Sequence, residues 1–272
     1  MPPSAYYDLS AIDVAIAGSL ILVNGLISMA LGLQLERRLL IASVRTVVQL
    51  LLIGYVLEWI FGQSRWDVIG VLIVVMTLIA GVSAVRRVPW RHPGIWIDSI
   101  TGVMASSWMV TAVALTAVIR PDVWREHPAQ YAVPLLGMIL GNTLNGISLG
   151  LDRLGDGLST RRREVEMRLT LGASRWEAAR PIVRDAIRTG MVPIINSMMV
   201  VGLVSLPGMM TGQLLSGVSP LAAVKYQIAI MFLIAAGTAL GTVSVCLLGF
   251  LRLFDTAHRF RYERLRRSQT SD

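Results

Sequence analysis

Long apolar runs separated by short polar breaks make up most of this chain. About seven of them are long enough to cross a bilayer, near 11–33, 41–61, 67–85, 97–119, 129–151, 191–216 and 221–251. A helical crossing takes about 20 mostly apolar residues. Only helices satisfy their own backbone in lipid when the alternation of a barrel strand is missing, as it is here. The expected fold class is therefore all-α, a polytopic membrane protein forming one domain over 1–272. One long polar stretch, 152–190, interrupts the pattern between the fifth and sixth runs, and a basic tail, 252–272, follows the last.

Composition agrees with a bilayer environment. The chain is 54% hydrophobic and 15% charged, with a mean hydropathy of +0.62, more apolar surface than a soluble fold of this size covers. The net charge of +8 is almost entirely arginine, with Lys225 the single lysine. Nucleic acid is excluded as a partner because the arginines gather at the ends of apolar runs and not along a soluble face. Twenty of them fall in alternate loops, the polar stretch and the tail, against three, Arg65, Arg120 and Arg125, in the opposite loops. Positive loops stay in the cytoplasm, which predicts an outside N-terminus and a cytoplasmic C-terminus. An odd number of crossings requires the same arrangement. The lone Cys246 excludes an intrachain disulfide. No basic segment precedes the first apolar run, so no cleaved signal peptide is expected.

The polar stretch carries nine arginines and reads as a cytoplasmic helix–turn–helix. Gly172 suits a helix stop. Ser174 and Glu177 have the spacing of a capping box that starts a second helix. Val165, Leu169 and Trp176 form an apolar ridge on otherwise basic helices, and Pro181 is expected to kink the second. Such a segment either lies on anionic lipid or docks into a groove on a soluble protein.

Glu166, Gly172 and Ile182 fall at the spacing of the cytoplasmic loop of ABC importer permeases, although Met167 and Arg168 replace its two alanines. The run from Gly137 through Asn142 and Asn145 to Arg153, the segment Glu164–Ser174, the run Ser205–Gln213, and Arg45 with Gln49 together resemble the FetB-type family of ABC permeases. The likeness covers nearly the whole chain. It implies a membrane subunit that works as a homodimer in the bacterial cytoplasmic membrane, beside a separate ATPase subunit that binds ATP and magnesium. It also implies export of iron, another metal or a metal complex. Plant relatives are associated with aluminium tolerance. The residues it assigns to ATPase coupling are Glu164, Glu166, Arg168, Leu169, Gly172, Ala173, Ser174 and Glu177. This chain is expected to bind no cofactor and to be no enzyme, because no glycine-rich phosphate loop precedes Lys225.

Polar groups inside spans are costly and mark candidate paths. They are Arg45 and Gln49 in the second run, Asn142 and Asn145 in the fifth, and Asn196 in the sixth, followed by Pro207, Gly208, Met209 and Gln213. Interhelical hydrogen bonding also accounts for the asparagines, and snorkelling or pairing with Glu36 accounts for Arg45. Leu206-Pro207-Gly208 is expected to break the sixth span. Met198, Met199, Met209 and Met210 surround it, and thioethers suit soft ions better than iron. No carboxylate or histidine cluster suggests a metal cage. GxxxG pairs occur at Gly137/Gly141, Gly146/Gly150, Gly208/Gly212 and Gly237/Gly241, with a further stripe of Gly18, Gly25 and Gly32. Internal packing and a homodimer seam both fit these. An autonomous secondary carrier or channel, and a permease for a non-metal organic substrate, are the alternatives. A membrane enzyme is weaker, since no hydrolase or zinc motif appears.

Overall fold

The computed structural model describes residues 10–63, 65–119 and 121–267. Arg120 from the loop count, residues 1–9 and the last five residues of the tail lie outside these. The fold is all-α. Its elements are α1 Ala11–Ala30, α2 Glu36–Gln63, α3 Trp66–Arg86, β1 Trp90–Arg91, α4 Ile95–Val113, α5 Pro121–Glu126, α6 Pro128–Thr160, α7 Arg162–Thr170, α8 Arg175–Val200, α9 Gly208–Leu215, α10 Pro220–Leu253 and β2 Arg266–Arg267. α4 runs on through a π-helical turn, Ala114–Val118.

Among the described residues six helices are long and apolar enough to cross a membrane: α1, α2, α3, α4 with its extension, α6 and α10. About seven crossings were expected, the sixth of them broken near Pro207. The segment 191–216 is divided among the end of α8, a break at Val201–Pro207, and the short α9. The break begins upstream of Pro207, where Gly202 adopts φ +82 and its N–H donates to the Ser205 carbonyl at 2.9 Å. The parity argument for orientation therefore depends on whether this broken segment crosses. The polar stretch is continuous with the helices on either side. α6 leaves the fifth apolar run and continues to Thr160, and α8 continues from the turn at Ser174 into the sixth. α8 stays helical through Pro181 and Pro193.

The core is a bundle of α3, α4, α6, α8 and α10, drawn together by small residues. A Cβ on Gly190 of α8 would lie 2.5 Å from the Gly146 carbonyl oxygen of α6 and 2.6 Å from Cγ2 of Thr242 on α10. One on Gly150 would lie 3.0 Å from Cys246 Sγ and Thr242 Cγ2. Three backbones can converge so closely only where side chains are missing. Gly237 and Gly241 seat Ile139 and Thr143 in the same way. Gly208 and Gly212 meet nothing within 4 Å, and neither do Gly18, Gly25 and Gly32. The α1 stripe therefore takes no part in packing within the chain.

α1 and α2 form a hairpin that touches the bundle only near one end. Ile60 and Leu57 of α2 pack with Ile69 of α3 and Ala129 and Val133 of α6. At the loop of the hairpin, the Ser28 hydroxyl donates to Glu36 at 3.0 Å and accepts from the Leu35 N–H at 2.9 Å. The rest of α2 presents leucine, valine and isoleucine outward.

Candidate functional site

The charged helical hairpin α7–α8 projects from one end of the bundle. Gly172 holds the turn with φ +91, a left-handed conformation that costs a residue with a Cβ about 1–2 kcal/mol. Ser174 caps α8. Its hydroxyl accepts from the Glu177 N–H, and the Glu177 carboxylate accepts from the Ser174 N–H at 2.8 Å. The Ser174 hydroxyl also donates to the Glu177 carboxylate at 2.7 Å, and this bond first, the Ser174 N–H second, holds the Glu177 carboxyl below the usual range. Ala173 completes the turn by donating its N–H to the Arg168 carbonyl.

The acidic residues expected to face a partner are held by their own helix. Glu164 accepts from Arg161 at 2.7 and 2.9 Å and from Arg168 at 2.7 Å. Its carboxyl is held below the usual range, Arg161 being the chief cause. Glu166 accepts from Arg162 at 2.7 Å. Val165 is buried, and Leu169 packs against the same core cluster, so the inner side of α7 faces the bundle.

The outer side carries the two residues that sequence reasoning missed. Leu171 is 79% exposed and Met167, one turn before it, 54%. No atom lies within 4 Å of a Cβ placed on Gly172. Two bare apolar side chains thus sit at the tip of a basic hairpin. The signal in the sequence was their i, i+4 spacing ahead of a glycine stop.

The tail folds back onto this hairpin. Trp176, Phe250, Phe254, Phe260 and Tyr262 form a continuous aromatic run with centroid spacings of 5.4, 5.1, 4.9 and 6.0 Å. The Arg162 guanidinium lies 4.2 Å from the Tyr262 ring centroid. The Arg175 N–H donates to His258 Nδ1 at 3.0 Å, and its guanidinium to the Asp255 carbonyl at 3.2 Å. Arg266 and Arg267 pair antiparallel with Arg91 and Trp90 between α3 and α4.

The expected path residues do not gather at one point. Arg45 and Gln49 are exposed on the outlying α2, and Glu36 is engaged by Ser28 instead of Arg45. Asn142 and Asn145 do share a face of α6. Asn142 donates within its own helix to the Met138 carbonyl at 2.9 Å, and Asn145 accepts from Arg87 of the α3–α4 loop at 2.8 Å. The Gly146–Gly190 contact sets Asn196 close to the level of Asn142 on the neighbouring helix, exposed. Asn145 and Asn196 are exposed and Asn142 half-buried, and exposed amides within apolar segments are a poor match for lipid.

Beyond the break, two cavities open. Met209 and Gln213 of α9 line one of about 260 Å³ with Met138, Tyr131 and Tyr226. Met198, Met210, Met231 and Gln227 line another of about 490 Å³, walled by Val201, Gly202 and Leu206. Gln227 is 6% exposed, and its Oε1 has no hydrogen-bond partner. Pro207 and Gly208 begin α9 beside them and hold no ligand-like group. Among the described residues no three His, Cys, Asp or Glu side chains approach one another closely enough to hold a metal.

The sequence profile of the uncharacterised protein family UPF0014 matches residues 11–254. The chain belongs to this family. UPF0014 membrane protein slr1647 of Synechocystis is 43% identical over 79% of this chain and 82% of its own length. The Escherichia coli relative named "Probable iron export permease protein FetB" is 29% identical over 94% of this chain and 96% of its own. Protein ALUMINUM SENSITIVE 3 of Arabidopsis thaliana is 28% identical over 89% of this chain and 86% of its own. No solved structure matches the chain. A UPF0014 membrane protein with this fold is a multi-pass membrane protein.

Proposed function

We propose that this UPF0014 protein is the membrane subunit of an ATP-driven exporter, moved by a separate ATPase that seats on the α7–α8 turn. The observation that carries the reading is Leu171. A side chain this apolar, 79% exposed on a basic hairpin outside the apolar runs, is the pattern of a docking residue. The salt bridges of Glu164 and Glu166 shape the hairpin around it, and the exposed arginines Arg163 and Arg180 suit an acidic rim on the partner.

The geometry supports a mechanism. α8 is one continuous helix from the turn to the break at Val201, roughly 39 Å at 1.5 Å per residue. Displacement of the turn is carried along α8 to the break and the two cavities beside it. Backbone that leaves helical geometry at that depth is tolerated where it faces protein or a wet path. In this reading α8 and α9 together make the sixth of seven crossings, the hairpin is cytoplasmic, and a second copy covers the exposed amides of α6 and α8. The bacterial cytoplasmic membrane is the expected location. The cargo is a metal or a metal complex, following the name of the Escherichia coli relative. Among the described residues one protomer offers no cage of hard ligands, and a complexed ion or a site completed by the second copy suits that.

The test is reconstitution. The purified chain alone hydrolyses no ATP, and with its cognate ATPase in liposomes it shows cargo movement that depends on hydrolysis. Full transport by this chain without ATP would sink the proposal and favour a secondary carrier.

A further inference from the structure

The expected basic tail is built into the hairpin through a chain of specific contacts. At its start, Arg252 donates to Asp98 at the head of α4 at 3.2, 3.3 and 2.9 Å. The Asp98 side chain is 3% exposed and that of Arg252 46%, so a half-exposed guanidinium covers a buried carboxylate. Next, the chain closes a small loop. The Arg259 N–H donates to Asp255 at 2.8 Å, Arg261 reaches the same carboxylate at 3.2 Å, and Phe254 stacks on Phe260. The Asp255 carboxyl is held below the usual range, chiefly by the Arg259 N–H. This loop grips both helices of the hairpin, α7 through Arg162 over Tyr262 and α8 through Arg175 on His258 and Asp255. Finally Leu265 is buried in the core cluster that holds Val165 and Ala178, and Arg266–Arg267 pair with Trp90–Arg91. Trp90 itself packs against Gly155 of α6.

We propose that residues 254–267 are a strut that fixes the α7–α8 hairpin to the start of α4, so that a push on the turn reaches α4 and α10 as well as α8. The proposal rests on the reading of the turn as the ATPase seat. Phe260, Tyr262 and Arg252 act as positioning residues, touching neither nucleotide nor cargo. Without the strut, the hairpin is joined to the bundle through α6, through α8 with its Trp176–Phe250 contact to α10, and through the packing of Val165 and Leu169, with no direct link to the start of α4 among the described contacts. It could then bind its partner and tilt without carrying α4 along.

The experiment pairs a distance with a coupling ratio. Spin labels on Thr170→Cys in the hairpin and Pro93→Cys before α4 report the distance between them, and the native Cys246 is buried and stays unlabelled. The strut is released by Phe260→Ala with Tyr262→Ala. Tyr262→Leu alone is a milder change that keeps bulk and loses the ring under Arg162, and Tyr262→Phe restores the ring. Wild type and Tyr262→Phe give one narrow distance, whereas Tyr262→Leu and the double variant broaden it. In liposomes with the ATPase, the released variants keep hydrolysis but move about tenfold less cargo per ATP, within the range of coupling between sites. An unchanged distance distribution in both released variants overturns the strut, and so does a broadened one with full transport per ATP. If wild type shows no partner-dependent hydrolysis, the proposed function fails, and the strut is then decided by the distances alone.

Discussion

Truncating Leu171 to alanine tests the docking surface with little risk to the fold. In the free chain this side chain is 79% exposed, so shortening it removes almost no internal packing. Docking against a soluble partner would bury it. Leucine to alanine removes three carbons, each worth about 0.8 kcal/mol on full burial. With about four-fifths of the side chain available, the complex loses about 2 kcal/mol. At 1.4 kcal/mol per tenfold, that is roughly 30-fold weaker binding. The assay is titration of purified ATPase subunit onto the protein in lipid nanodiscs, read by fluorescence anisotropy, with thermal unfolding of each variant alongside. Met167→Ala weakens binding in the same direction, and Leu171→Asp weakens it further by placing a charge in an apolar seat. An unaltered affinity for Leu171→Ala and Leu171→Asp, with unaltered melting, refutes the assignment of the tip as the seat.

Gly190→Ala drives a methyl toward the Gly146 carbonyl and Thr242, at 2.5 and 2.6 Å. Overpacking of that kind costs about 1–3 kcal/mol. Gly141→Ala, with open space around it, leaves the melting temperature in detergent unchanged, and equal melting of the two would contradict the packing described. At the turn, Gly172→Asn is tolerated and Gly172→Val costs about 1–2 kcal/mol of local stability, because asparagine enters the left-handed region and valine resists it. Hydrogen exchange confined to residues 171–174 reads the difference. His92 is buried, which pushes its ring below the ordinary value of 6.5; Arg252 adds to this, while Asp98 and the Pro93 carbonyl oppose it. The unfolded chain therefore binds that proton more readily than the folded one, and this contribution to stability declines as pH drops below about 6.5. Melts from pH 7.5 to 5 show that slope in wild type, and His92→Gln removes that part of it.

The long helices were legible because lipid enforces length and apolar character together, and α1, α2, α3, α4, α6 and α10 all carry that mark. The break in the sixth apolar run was half legible. Pro207 announced a break, but mean hydropathy over 191–216 does not register Gly202, whose left-handed turn starts it. The α7–α8 turn could be read residue by residue, since Gly172, Ser174 and Glu177 act within a few positions of one another. Leu171 was passed over in favour of charged neighbours, which proved to be paired within the helix. The folded tail was beyond reach. Its contacts join Arg162 to Tyr262, Arg175 to His258 and Asp98 to Arg252, across about 80 to 150 residues, and a row of arginines looks the same whether free or docked. The exposed setting of Arg45 and Gln49 was hidden for a related reason, because nothing local shows that α2 packs on the bundle near Ile60.

The glycine contact between α6 and α8 also sets a mechanical ratio. If Gly190 resting on Gly146 serves as the fulcrum, the stretch of α8 from Ser174 is roughly 24 Å long and the stretch on to Val200 about 15 Å. A seesaw with such unequal arms trades travel for force. A swing of about 1.6 Å at the outer end arrives as about 1 Å at the inner one, a small and forceful stroke suited to opening a tight seal.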